Sequence, residues 1–243
     1  MTDIRAALFD LDDTLFAHRS AVDAGILAHV RALGHPYDAC DAAAEVLVWR
    51  GLEELHYHRY LAGEISFEDN RRLRARDYAA RHGVELSSQE AGTWFASYFE
   101  HYVESWRLHD DAVPCLDALR TTFPGVRFGL ITNGEEDFQL RKVDAVGIRA
   151  EFDDIVASGS VGVTKPDSRI FELACERLAV RPADAVYVGD RLGTDAIGAA
   201  RAGLTGVWLD RFGATVADDE RAAADELGVI RITSLAELPP ALA

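Results

Sequence analysis

The pattern of apolar and polar positions changes character twice along the chain. Ala6-Ala7-Leu8-Phe9 is an unbroken apolar run followed at once by Asp10, Asp12 and Asp13. Such a run reads as a strand buried on both faces, as in a parallel sheet. From about Arg19 to Trp106 the apolar positions fall at three- and four-residue spacings, as in Leu47, Val48, Leu52 and Leu55. This spacing predicts helices over about 19–33, 41–61, 66–82 and 87–106, with no strand among them. Gly34-His35-Pro36, Gly63 and Gly83 punctuate that block. Ser66 with Asp69, and Ser87 with Glu90, have the spacing of capping boxes. After Asp111 strands and helices alternate: helix 113–123, strand 126–131, helix 135–146, strand 152–157, helix 167–178, strand 185–188, helix 194–202, strand 205–209 and a weaker strand 229–232. Ala217–Gly228 reads only as an acidic, alanine-rich stretch.

Alternation of this kind argues for βαβ units. The expected fold is therefore α/β, a Rossmann-like doubly wound parallel sheet carrying an inserted α-helical domain. Residues 1–16 and 109–243 are expected to form the core and 17–108 the helical insert.

Composition narrows this picture. Nearly half of the 243 residues are hydrophobic and only seven are proline, which suits a packed core. No apolar run approaches the roughly 20 residues of a membrane span, and Met1–Arg5 leads straight into the first strand, leaving no room for a signal peptide. A cytoplasmic protein without a membrane partner is expected. Cys40, Cys115 and Cys175 form no Cys-x-x-Cys pair and read as reduced thiols. With 25 basic and 41 acidic residues the formal charge is -16, which repels nucleic acid and obliges any anionic substrate to find a local positive centre. No heptad seam marks a dimer face, so a monomer is the default and a dimer stays open.

In an open parallel sheet, ligands bind beyond the carboxyl ends of the strands. Those ends would deliver Asp10 and Asp12, Thr132-Asn133-Gly134, Lys165, and Asp190 with Asp195. If strand geometry persists past Phe9, alternation turns Asp10 and Asp12 to one side and Asp13 away. Clustered carboxylates without His or Cys favour Mg²⁺ as their cation. Lys165 adds a positive point donor, and Thr132, Asn133 and backbone N–H groups near Gly134 add neutral ones. These parts describe a phosphoryl-transfer site.

Elsewhere the plainer readings hold. His56 and His58 lie two apart and do not share a helix face, so they read as ordinary histidines. Trp49, Trp94, Phe95 and Trp106 read as core of the helical block. Arg71, Arg72, Arg74 and Arg76 read as a solvated helix face, and the pairs Asp110-Asp111 and Asp153-Asp154 as solvated loop charges.

Asp10-Leu11-Asp12-Asp13-Thr14, Thr132-Asn133-Gly134, Lys165-Pro166 and Gly189-Asp190-Arg191-Leu192-Gly193-Thr194-Asp195 resemble, in order, the four motifs of the haloacid dehalogenase superfamily. The resemblance implies that Asp10 is the nucleophile, forming an aspartyl-phosphate, and that Asp12 is the acid and base. It implies Mg²⁺ held by Asp10, Asp190 and the backbone carbonyl of Asp12, with Asp195 orienting bound water. Thr132 and Lys165 would hold the phosphoryl group, and the helical insert would be the cap, hinged at Leu15–Arg19 and Arg107–Ala112. The expected activity is hydrolysis of a small phosphorylated metabolite, of the nucleoside monophosphate or sugar phosphate class. Asp12 points away from the metal-independent dehalogenases, whose first motif lacks that acid. A phosphomutase and a binding protein without turnover are the remaining rivals. Arg50, Glu53, His56 and Arg59 are candidate contacts on the cap side.

Overall fold

All four side chains of Ala6–Phe9 (β1) are buried, as in a central strand whose two faces are both covered. Its partners are Arg127–Thr132 (β2) and Ala185–Gly189 (β4), with Ala7 opposite Phe128 on one side and Val186 on the other. Asp154–Ala157 (β3), Thr205–Leu209 (β5) and Ile230–Ile232 (β6) complete a parallel sheet of order β3-β2-β1-β4-β5-β6. The computed structural model describes residues 4–37 and 41–243; Cys40 lies outside them, and Cys115 and Cys175 are buried free thiols. This sheet, with helices on its flanks, is of the expected α/β, Rossmann-like class.

The chain divides into two compact units: the segments up to Ala17 and from Arg107 onward form one, and His18–Trp106 the other. In the first, Ala6, Leu8 and Tyr187 project from one face of the sheet onto Ile170, Phe171 and Ala174 of helix Ser168–Arg177. By alternation Phe9 and Phe128 project from the other face, their ring centroids 6.3 Å apart.

The helical unit contains α1 (His18–Leu33), α2 (Ala42–Leu61), α3 (Phe67–Arg81) and α4 (Ser88–Glu104). Both capping boxes form, with Ser66 and Ser87 each accepting from the backbone three residues on. Trp49 packs edge-on against Tyr78 and Tyr98, at 5.4 and 4.5 Å, and Trp94 joins them. The arginine run is solvated only in part: Arg76 is exposed and Arg71 and Arg72 are half-buried. Arg74 is buried, lies 3.9 Å above the Trp49 ring and donates to Glu53 at 2.7 Å. An aromatic face and a carboxylate together let a guanidinium leave water.

In the α/β unit the helices are α5 (Ala112–Thr122), α6 (Glu136–Ala145), α7 (Ser158–Val161), α8 (Ser168–Arg177), α9 (Gly198–Arg201), α10 (Asp218–Glu226) and α11 (Leu238–Leu242). Two expectations change here. The expected helix 194–202 begins as a π-helical segment, Leu192–Ile197, and the acidic, alanine-rich stretch is the helix α10. Of the loop aspartates, Asp110 and Asp153 are exposed as expected, whereas Asp111 and Asp154 are partly buried. Asp111 accepts from both terminal nitrogens of Arg211, from Ser234 Oγ and from the Leu235 N–H, and Asp153 accepts from the Phe128 N–H at 2.8 Å. Among the described residues no helix is long and apolar enough to cross a membrane.

Candidate active site

Asp10 is the first residue beyond β1, and its N–H still donates to the Val188 carbonyl at 2.8 Å. The backbone is thereby held on the central strands while the side chain leaves the core. Its Oδ1 accepts from Lys165 Nζ at 2.6 Å and its Oδ2 from the Thr14 hydroxyl at 3.3 Å. Burial pushes the Asp10 carboxyl up to about 7; Lys165 opposes this, while Asp195 and Asp12 add to it.

Strand geometry does not persist to Asp12. The N–H groups of Leu15 and Phe16 turn back to the Leu11 carbonyl, and Asp13 takes a φ of 59° in the left-handed region, where a short polar side chain is tolerated better than most. Asp12 therefore reaches its place through a tight loop rather than by alternation. Both of its oxygens accept from Lys142 Nζ, at 2.8 Å each. Asp13 is not turned out of play, because its charge helps to raise Asp190.

Lys165 gathers the other side of the site. Besides Asp10 its ammonium donates to Asp195 Oδ1 at 2.7 Å and to the Tyr187 hydroxyl at 2.8 Å. Burial pulls the ammonium down, yet Asp10 and Asp195 outweigh it and hold the group above the ordinary lysine range. The backbone of Lys165 is clamped by the Asn133 side chain, whose Oδ1 accepts from the Lys165 N–H at 2.9 Å and whose Nδ2 donates to its carbonyl at 3.1 Å. The Gly134 N–H donates to Ser158 Oγ, so that backbone donor, expected to face the site, is engaged elsewhere. Thr132 is the last residue of β2 and is buried.

Asp195 sits in the π-helical segment and leans onto the end of β4, with Oδ2 accepting from the Arg191 N–H at 3.0 Å. A Cβ at Gly189 would lie 2.4 Å from the Asp195 side chain, so only glycine allows this approach. A π-helical insertion inside a helix is a frequent mark of a functional position. Burial, followed by repulsion from Asp10, Asp195 and Asp13, holds the Asp190 carboxyl well above its usual range.

Carboxylate oxygens of Asp10, Asp190 and Asp195 lie within 4.8 Å of one another. A divalent cation fits this set. The donors are all hard oxygens, and the repulsion that raises Asp190 is what a cation would relieve.

Three side chains that the sequence reading did not single out belong to this network: Lys142, Tyr187 and Gln139, whose Nε2 donates to the Asn133 carbonyl at 3.1 Å. Lys142 carried a readable signal. It falls on the same helical face as Gln139 and Val143, both buried, a position where a lysine needs a partner. The candidate contacts of the helical unit are engaged within that unit: Arg50 with Asp23, Glu53 with Arg74, His56 with Asp77, and Arg59 with Glu64. His56 is buried and His58 exposed, as their spacing implied.

The sequence model of the haloacid dehalogenase-like hydrolases matches residues 4–203. The chain belongs to that family. A glyceraldehyde 3-phosphate phosphatase of Methanopyrus kandleri is 31% identical over 86% of this chain and 84% of its own. A ribulose-1,5-bisphosphate 5-phosphatase of Halopiger xanaduensis is 31% identical over 96% of this chain and 97% of its own. A haloacid dehalogenase-like hydrolase of Bacillus subtilis, solved bound to magnesium, shares the fold at a TM-score of 0.75 and 19% identity, covering 97% of this chain and 96% of its own. These phosphatase relatives are phosphoric monoester hydrolases of the same family as this chain.

Proposed function

We propose that this hydrolase is a Mg²⁺-dependent phosphatase acting on a small phosphorylated metabolite. The observation that carries the reading is Asp10 beside the Lys165 ammonium at 2.6 Å, with a second carboxylate, Asp12, two residues further on. An Asp10 oxygen attacks phosphorus, the ester P–O bond breaks, and Asp12 gives its proton to the leaving oxygen. Asp12 then takes a proton from water as that water attacks phosphorus and the Asp10–phosphorus bond breaks. One proton leaves Asp12 and one returns, so the enzyme is regenerated.

Thr132 and Lys165 hold the phosphoryl oxygens. Asn133 acts chiefly through Lys165, whose backbone it clamps. Asp10, Asp190 and the Asp12 carbonyl would hold Mg²⁺, with Asp195 orienting bound water, and the ion would supply charge neutralisation at the phosphoryl oxygens. Phosphorylated sugars come ahead of nucleoside monophosphates as substrates, because the two phosphatase relatives act on glyceraldehyde 3-phosphate and ribulose 1,5-bisphosphate. A reducing, cytoplasmic setting agrees with the buried free thiols.

The test is a panel of phosphorylated sugars and nucleotides, scored for free phosphate with Mg²⁺ and with a chelator. Release that needs Mg²⁺ is expected. Isomerised product outrunning phosphate would replace the reading by a phosphomutase, and halide release from 2-haloacids without Mg²⁺ by a dehalogenase. No release from any compound would leave a binding protein.

A further inference from the structure

Lys142 is 2% exposed and comes from α6, 130 residues away in sequence from the carboxylate it holds. Its Nζ lies 5.3 Å from the centroid of the Phe16 ring and 4.8 Å from that of Phe138. As a device for stability alone this is a poor choice. A buried lysine–carboxylate pair gains little over an apolar side chain of the same volume, and a methionine would fill a slot between two phenyl rings well. What the ammonium gives that methionine does not is a fixed carboxylate. It meets both oxygens of Asp12 at the same 2.8 Å.

The same face of α6 bears a second tie. Gln139, three residues earlier, donates to the carbonyl of Asn133, and Asn133 in turn clamps the Lys165 backbone. One rigid helix thus connects the segment that positions Lys165 with the loop that carries Asp12.

We propose that Lys142 is a positioning residue: it holds the Asp12 carboxylate in register with Asp10 for proton transfer to the leaving oxygen and from water. The proposal rests on the phosphatase reading for its chemistry, and on the Lys142–Asp12 geometry for its structural part.

The experiment compares wild type, K142M and K142R on a sugar phosphate and on p-nitrophenyl phosphate. A sugar alkoxide needs a proton to leave, whereas p-nitrophenolate leaves without one. K142M is expected to lower kcat on the sugar phosphate by about 30- to 100-fold, up to the lower end of what a positioned acid–base group contributes because Asp12 itself remains, with KM changed by less than about 3-fold. On p-nitrophenyl phosphate it should show a stoichiometric burst of phenolate and then slow turnover, since only water attack on phospho-Asp10 still needs Asp12. K142R, whose fork can also grip both oxygens, should recover most of the loss. An equal loss on both substrates without a burst, or unchanged kinetics, overturns the proposal. If K142M melts below the assay temperature, K142Q takes its place with the same expectations.

A crystal structure of K142M provides the readout that does not depend on turnover. Displacement of Asp12 while Asp10 and Lys165 stay in place supports the proposal, and an unmoved Asp12 overturns it. A wild-type chain inert towards the whole panel refutes the phosphatase reading, and the position of Asp12 in K142M still decides the role of Lys142.

Discussion

Both units of this hydrolase bury ionisable side chains, but they balance them differently. In the helical unit the charges come in pairs: Arg74 with Glu53, His56 with Asp77, Arg50 with Asp23. At the strand ends of the α/β unit four carboxylates, Asp10, Asp12, Asp190 and Asp195, meet two ammonium groups, Lys142 and Lys165. A paired charge in a protein interior is a finished structural object, and removing either partner leaves the other exposed to the full desolvation penalty. A surplus of like charge is unfinished. It holds groups such as Asp190 away from their usual protonation, and a cation at Asp10, Asp190 and Asp195 would relieve it. The same elementary terms thus mark one region as scaffold and the other as a place prepared for ligands.

The comparison can be broken at both ends. The largest effect is expected from D10N, which removes the proposed nucleophile and should lower phosphate release by at least ~10³-fold in the Mg²⁺-supplemented assay. Activity within tenfold of wild type would move the chemistry elsewhere. Next comes a pair of substitutions with opposite signs. D190N deletes one carboxylate from the surplus and should stabilise the metal-free protein by about 1 kcal/mol. E53Q deletes the partner of the buried Arg74 and should destabilise it by about 2 kcal/mol. Denaturant unfolding of both variants in chelator checks the signs, and equal signs would end the distinction.

The smallest effect concerns His29, buried on α1 against Trp94 at 4.3 Å, with both ring nitrogens lacking a partner. Burial, helped by His101, pulls its value down to about 4. The unfolded chain protonates near 6.5, so between those values it binds more protons than the folded one. Stability from the neutral ring is complete above about pH 6.5 and is lost as pH falls towards 4. The melting midpoint should drop over that window, and H29L should flatten the drop.

The sequence announced the sheet well, since period and punctuation agree across Ala6–Phe9, Arg127–Thr132 and Ala185–Gly189. It hid α10, because Asp-Asp-Glu-Arg-Ala-Ala-Ala-Asp-Glu has almost no apolar face and buries only Ala224. That helix rests on alanine propensity and on acids at its N-terminus. The residues at strand ends were readable because position and chemistry coincide there. Lys142, Arg74 and Asp111 were not read correctly, for a common reason. Whether a charge is solvated depends on a partner that the fold brings from far away, as Arg211 is brought to Asp111 over 100 positions. Periodicity reports which face a residue occupies and is silent about who meets it.

Consider finally the place of β1 between β2 and β4. In a chain made from N- to C-terminus, Asp10 is made well before β4, one of the two neighbours of β1, which ends at Gly189. Until that strand and the segment after it exist, β1 lacks one of its two neighbours and its carboxylates have no Asp190 or Asp195 to converge with. Contacts of such large separation are slow to form and leave sticky intermediates. The helical insert, local in sequence and closed on its own aromatic core, can fold meanwhile. Synthesis therefore leaves β1 waiting for a part of the site made long after it, and a chain cut short before Gly189 cannot complete the sheet around it.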